Sequence, residues 1–92
     1  QMTISLDVKR LKRTLFQEGR TNVILPPSGL LAALRTIGYE NSDKPAEPRE
    51  RAKIFADFYG SKPLPFREGF WRTRKYLIIQ PVGNNYKITV DS

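Results

Sequence analysis

The sequence of 92 residues contains no cysteine and no histidine. Disulfide bonds, zinc fingers, thiol nucleophiles and proton relays built on imidazole are therefore excluded. Acidic residues are few, and they do not form the spaced Asp, Glu and Lys arrangement of metal nucleases; a G-x-x-x-x-G-K-S/T phosphate-binding loop is missing as well. We expect a protein that is not an enzyme, has no catalytic residue and needs neither a metal nor another cofactor.

Long apolar runs are also missing from the sequence. No stretch approaches the ~20 apolar residues that a membrane-spanning helix needs, and the first residues lack the pattern of a secretory signal peptide. No segment combines a long apolar helix face with a run of lysines, the pattern that indicates binding to a membrane surface. The sequence predicts an intracellular protein, cytoplasmic or nuclear, with no membrane partner.

Positive charge is what the sequence has in excess. Sixteen Lys and Arg residues against nine Asp and Glu give a net charge of +7 and an isoelectric point near 10.1. Residues 1–40 and 61–92 hold this excess, whereas the charges of residues 41–60 cancel. A basic balance of this size favours a polyanionic partner, and nucleic acid is the leading candidate.

Apolar residues at helical spacing predict the first two helices. The first helix ends near Gly19, and its apolar stripe consists of Ile4, Val8, Leu11 and Leu15. The second helix runs from Ser28 to Gly38 and is expected to lie in the core. Between them Thr21–Leu25 is predicted to form a short strand, which stops at Pro26-Pro27 because proline cannot donate to a sheet ladder.

The third helix is predicted to begin at Pro48 and to stop at Gly60. Its inward face is predicted to consist of Ile54, Phe55 and Phe58. Residues 61–69 contain two prolines and a glycine, so they are predicted to form an irregular loop.

A β-hairpin is predicted for the C-terminal part of the chain. Residues 74–80 and 86–90 are rich in β-favouring side chains, and Gly83 and Asn84 between them suit a tight hairpin turn. Aromatic and basic residues are interleaved here, namely Phe70, Trp71, Arg72, Arg74, Lys75, Tyr76 and Tyr86. Such a mixture suits a polyanion, because cations can meet phosphates while rings stack on sugars or bases.

The predicted order is therefore helix, strand, helix, helix and two-stranded hairpin, in a single α+β domain of residues 1–92. This order resembles that of the winged helix-turn-helix proteins, with Thr21–Leu25 as the strand that pairs with the hairpin and residues 80–86 as the tip of the wing. The resemblance implies DNA binding and, as a role, transcription regulation. Two features depart from the pattern, since the connection between the second and third helices is longer and the third helix is charge-compensated.

The residues predicted to contact nucleic acid come from three parts of the chain. The first helix and the residues after it contribute Lys9, Lys12, Arg13 and Arg20. The hairpin and the segment before it contribute Arg67, Arg72, Arg74, Lys75 and Lys87. The start of the third helix adds Arg49 and Arg51, because helix N-termini often point into a groove. We expect most of these contacts to be made with backbone phosphates.

Two alternatives share the same electrostatic features. An RNA would meet the same cations, although DNA is the partner that we favour. A protein-interaction or assembly subunit of a nucleoprotein or viral particle would instead direct its basic face to an acidic partner. The sequence leaves a homodimer open as well.

Overall fold

The computed structural model describes residues 8–17, 19–40, 47–60, 62–67 and 74–91. In these ranges the chain forms three α-helices, namely α1 (Val8–Phe16), α2 (Pro27–Thr36) and α3 (Pro48–Tyr59). Four β-strands accompany them, namely β1 (Thr21–Leu25), β2 (Leu64–Phe66), β3 (Lys75–Val82) and β4 (Asn85–Asp91). The predicted α+β class with three helices is confirmed, and β1 has the predicted bounds.

All four strands belong to one antiparallel sheet in the order β1-β4-β3-β2. The predicted pairing of the first strand with the hairpin is confirmed, because β1 pairs with β4 from Thr21 opposite Val90 to Leu25 opposite Tyr86. The hairpin turn is confirmed too, since Gly83, with a φ of 61°, lies in the two-residue connection between β3 and β4. Glycine adopts this left-handed conformation without the steric cost that a Cβ atom imposes.

The prediction that residues 61–69 are wholly irregular is wrong. Leu64–Phe66 forms β2, which pairs with the beginning of β3 and buries Leu64 and Phe66 on either side of the exposed Pro65. Proline is compatible with this strand because β2 lies at the edge of the sheet, where one side of its backbone pairs with no further strand of the described chain.

The core lies between the inner face of the sheet and the helices. Helix α2 lies at its centre, and the continuous burial of residues 29–34 agrees with the predicted position of this helix in the core. The fully or nearly fully buried side chains of this core include Leu15, Leu25, Leu30, Leu31, Leu34, Leu77, Ile79, Ile88 and Val90. The first two predicted helical stripes are therefore core stripes as far as the structure describes them.

The predicted inward face of α3 is wrong for Ile54 and Phe58, whereas Phe55 is half-buried and packs against the core as predicted. Ile54 and Phe58 are 65% and 69% exposed, whereas Ala52 and Ala56 are buried. The two pairs have the same spacing of four residues, but they are offset by two positions, which is about 200° around a helix. Side chains as small as alanine let α3 approach the core closely, so the alanine stripe turns inward while Ile54 and Phe58 face solvent.

Candidate nucleic-acid interface

One terminus of each of the four strands lies at the same end of the sheet, which we call the basal end. Thr21 at the start of β1 lies opposite Val90, near the end of β4. The start of β3 lies next to the ends of two strands, with Tyr76 opposite Asp91 and Lys75 opposite Phe66. Residues that flank these strands are therefore neighbours in space, although they are far apart in the sequence.

Three of the predicted arginines flank the basal end. Arg20 directly precedes β1, Arg74 directly precedes β3 and Arg67 directly follows β2. All three are exposed, and so is Asp91 at the end of β4. Because strands in a sheet are spaced by ~4.8 Å, the four strand ends span about 14 Å, with Asp91 as the acid between the arginines.

Helix α1 adjoins the basal end. The ring of Phe16 makes an edge-to-face contact with that of Phe66, with a centroid distance of 5.7 Å. The next residue, Gln17, accepts a hydrogen bond through its backbone carbonyl from Nζ of Lys75 at 2.5 Å. The C-terminal end of α1 is thus fixed beside the first residue of β3 and the last residue of β2.

The basic face of α1 extends from this point. A shallow surface depression, which we call the α1 depression, is lined by Lys9, Lys12, Arg13, Phe16 and Gln17. Its three basic residues are exposed. We use the term basal surface for the set of cations that α1 and the basal end bring together, namely Lys9, Lys12, Arg13, Arg20, Arg67 and Arg74.

The structure corrects the role predicted for Lys75. This residue is only 8% exposed, and its ammonium group donates to the carbonyl of Gln17. A lysine in this position joins α1 to the sheet, and its charge is not presented to a ligand. Strand alternation explains the difference, since Arg74 is exposed at the preceding position and Tyr76 at the following one.

A second, smaller group of cations lies near the hairpin turn. Arg49 and Lys53 are one helical turn apart on α3, and both line a cleft that also reaches Gly83 and Asn84 of the turn. We call this the α3–turn cleft; its other lining residues are Pro27, Ala56, Asp57, Pro81 and Tyr86. Lys53 was not among the predicted contacts, although its spacing of four from Arg49 is a signal that could have found it.

The two basic groups lie at opposite ends of the hairpin. Strand β3 has eight residues, so the turn lies about 23 Å from Lys75 at the basal end. Lys87 pairs with Ile24 and Gln80, is half-buried and belongs to the half of the hairpin nearer the turn. The part of the hairpin that lies beside α1 is therefore its base. Three further residues of the predicted aromatic and basic cluster, Phe70, Trp71 and Arg72, lie outside the described residues.

Arg51, another predicted contact, is engaged in an ion pair within the fold. Its guanidinium donates two hydrogen bonds to Glu40, from Nε to Oε2 at 2.5 Å and from one terminal nitrogen to Oε1 at 2.9 Å. Glu40 is buried, and this hydrogen bonding raises the pKa of Arg51 above its usual value. The guanidinium also lies over the ring of Phe55. Arg51 therefore joins α3 to Glu40, in the segment that follows α2.

Tyr39 adds a second link in this region. Its hydroxyl donates to the backbone carbonyl of Pro65 at 2.8 Å, and its ring meets that of Tyr59 edge-on. Burial, with a smaller contribution from Tyr59, raises the pKa of Tyr39. The segment after α2 is therefore joined to both α3 and β2, which is an architectural role.

Replacement of Arg51 by alanine is expected to lower the melting temperature by several degrees. The buried Glu40 would lose two charge-assisted hydrogen bonds, and the loss of such bonds by a buried carboxylate is destabilising. Thermal unfolding followed by circular dichroism measures the effect. The matched control is Arg49→Ala on the same helix, which should melt like the wild type; equal melting of the two variants would show that the ion pair adds no stability.

Comparison with protein-family models, with curated proteins and with solved structures found no match to this chain. Within the described ranges, no three acidic, cysteine or histidine residues cluster in a way that could hold a metal ion. The helices of the same ranges are too short and too polar to cross a bilayer. Any functional assignment therefore depends on the chain's own charges and geometry.

Proposed function

We propose that this protein is a non-enzymatic DNA-binding module whose basal surface contacts the phosphate backbone. The observation that carries the proposal is the concentration of six exposed Lys and Arg residues, from α1 and from three strand ends, around one acidic residue of the described chain, Asp91. Cations gathered in this way create a positive potential that attracts a polyanion and hold it through many weak phosphate contacts.

The contribution of such a surface depends steeply on salt. If all six cations meet phosphates of B-form DNA, the logarithm of the association constant should fall with the logarithm of the salt concentration with a slope of about −5. This term is independent of base sequence. The proposed surface therefore accounts for affinity and orientation, and base recognition requires further contacts.

The arrangement of the elements supports a winged helix-turn-helix organisation as the finer form of this proposal. Helix, strand, helix, helix and hairpin follow one another, and the first strand lies beside the last one, with β2 as an additional edge strand. In this organisation α3 and the hairpin turn would approach a duplex through the α3–turn cleft. Asp57 in the cleft offsets part of the charge of Arg49 and Lys53, so we assign this contact a smaller share of the affinity.

The proposal is tested by fluorescence anisotropy with labelled duplex DNA, single-stranded DNA and structured RNA of matched charge. We expect saturable binding that is tightest for the duplex DNA, with a salt slope near −5. A preference for structured RNA would replace DNA as the ligand and retain the basal surface. No saturable binding to any of the three would overturn the proposal and direct the basic surface to an acidic protein.

A further inference from the structure

Helix α3 presents an apolar surface that the fold leaves uncovered. Ile54 and Phe58 lie one turn apart and are 65% and 69% exposed. The ring of Phe58 contacts that of Tyr59 edge-on, at a centroid distance of 4.8 Å. Adjacent large apolar side chains with this exposure are a mark of protein interaction surfaces.

Acidic residues border this apolar surface. Glu50 lies one turn before Ile54, and Asp57 lies three residues after it, so both share its side of the helix. Both are exposed, and Glu47 lies at the N-terminal end of the same face. We call the set Glu47, Glu50, Ile54, Asp57 and Phe58 the α3 outer face. Arg51 lies on the same side, three residues before Ile54, but its charge is paired with that of Glu40. The α3 outer face is therefore acidic and apolar, in a chain with a net charge of +7.

The α1 depression has the complementary chemistry. Lys12 and Arg13 border it with positive charge, while the half-buried ring of Phe16 gives it an apolar floor. The aliphatic parts of long basic side chains also cover apolar surface while their charged ends stay in water. An acidic face with two projecting apolar side chains therefore fits this depression in both charge and hydrophobicity.

We infer that the α3 outer face of one copy docks on the α1 depression of a second copy, in a head-to-tail contact. Pairing of two α3 outer faces would bring Glu50 and Asp57 of one copy towards the same acids of the other, and like charges disfavour that arrangement. A head-to-tail contact leaves one free face at each end, so it builds open chains or closed rings of the protein.

This inference does not depend on the proposed function, because no nucleic acid takes part in the contact. The two nevertheless share the cations of α1. Duplex DNA bound to the basal surface would compete for Lys12 and Arg13, and it should release copies from one another. Self-association is therefore measured on protein freed of nucleic acid, as judged from its ultraviolet absorbance.

Sedimentation velocity over micromolar to millimolar protein gives the first test. We expect the mean mass of the wild type to rise with concentration and to fall towards that of a monomer as salt is added, because the charges at the rim are exposed and screened. A wild type that remains monomeric throughout this range at low salt would overturn the inference.

Two face-specific variants give the decisive test. Ile54→Ser/Phe58→Ser removes the apolar part of the α3 outer face, and Lys12→Glu/Arg13→Glu reverses the charge of the α1 depression. Each variant alone should weaken self-association about tenfold or more. An equimolar mixture should form a heterodimer that grows no further, because each variant contributes the one face that the other lacks.

Other modes of self-association would give different results with these two variants. Self-association of the Lys12→Glu/Arg13→Glu variant, with no gain on mixing, would indicate pairing of two α3 outer faces and would overturn the head-to-tail contact. All substituted side chains are exposed, and unchanged circular dichroism spectra and melting temperatures confirm that the fold is retained. Val82→Ser, at an exposed apolar residue of the hairpin tip, is the matched control and should associate like the wild type.

Discussion

The double variant Arg20→Ala/Arg74→Ala is expected to bind duplex DNA about 60-fold more weakly than the wild type at about 0.1 M salt. Each phosphate contact with B-form DNA adds ~0.9 to the salt slope, which amounts to ~0.9 logarithmic units of affinity at this salt concentration. The two arginines flank β1 and β3 at the basal end, are exposed and have no ion pair within the described residues. The salt slope should become shallower by about 1.8.

The control variant also removes two positive charges, but from a different part of the protein surface. Arg49→Ala/Lys53→Ala takes two cations from the α3–turn cleft, which reaches the opposite end of the hairpin, and should weaken binding less. Fluorescence anisotropy over a range of salt concentrations compares the two variants. Equal losses would mean that only net charge matters, and a larger loss in the control would move the principal contact to α3 and the hairpin turn.

Replacement of a core isoleucine by alanine is expected to cause a large loss of stability. Ile79 on β3 is 1% exposed and belongs to the core cluster, so Ile79→Ala should lower the free energy of unfolding by about 2–5 kcal/mol. The loss combines the transfer of the removed methylene and methyl groups with the cavity that they leave. Denaturant unfolding followed by circular dichroism measures it.

Ile54→Ala is the matched control, because it makes the same chemical change at an exposed position. We expect it to change the free energy of unfolding by less than about 0.5 kcal/mol. The comparison tests the orientation of α3 directly. If Ile54→Ala were as costly as Ile79→Ala, the isoleucine stripe of α3 would face the core and the alanine stripe would face solvent.

Much of the secondary structure follows from local sequence signals. The strand Thr21–Leu25 has the predicted bounds because proline ends it, and the turn at Gly83 forms where a positive φ is required. Helices α2 and α3 begin at Pro27 and Pro48, near or at the predicted residues. These features depend on backbone sterics and capping within a few residues, so a single sequence is enough to find them.

Other features of the fold depend on packing between elements. The hydrophobic period of α3 allows two inward faces, and only the close approach of α3 to the rest of the core selects Ala52 and Ala56 over Ile54 and Phe58. Strand β2 escapes sequence analysis for a related reason. A three-residue segment with a central proline has weak β propensity, and it becomes a strand because β3 offers it an edge.

The candidate interface likewise combines features that the sequence determines with features that only the packing of the elements decides. The sequence by itself determined the excess of positive charge, the helices and strands that carry it, and the turn that folds the hairpin. Only the tertiary structure decided which charges meet: strand register brings Arg20, Arg67 and Arg74 to one end of the sheet, while Lys75 and Arg51 are engaged within the fold. The physical reason is that local conformation depends on neighbours in the chain, whereas the position of a charge on a surface depends on long-range pairing and burial.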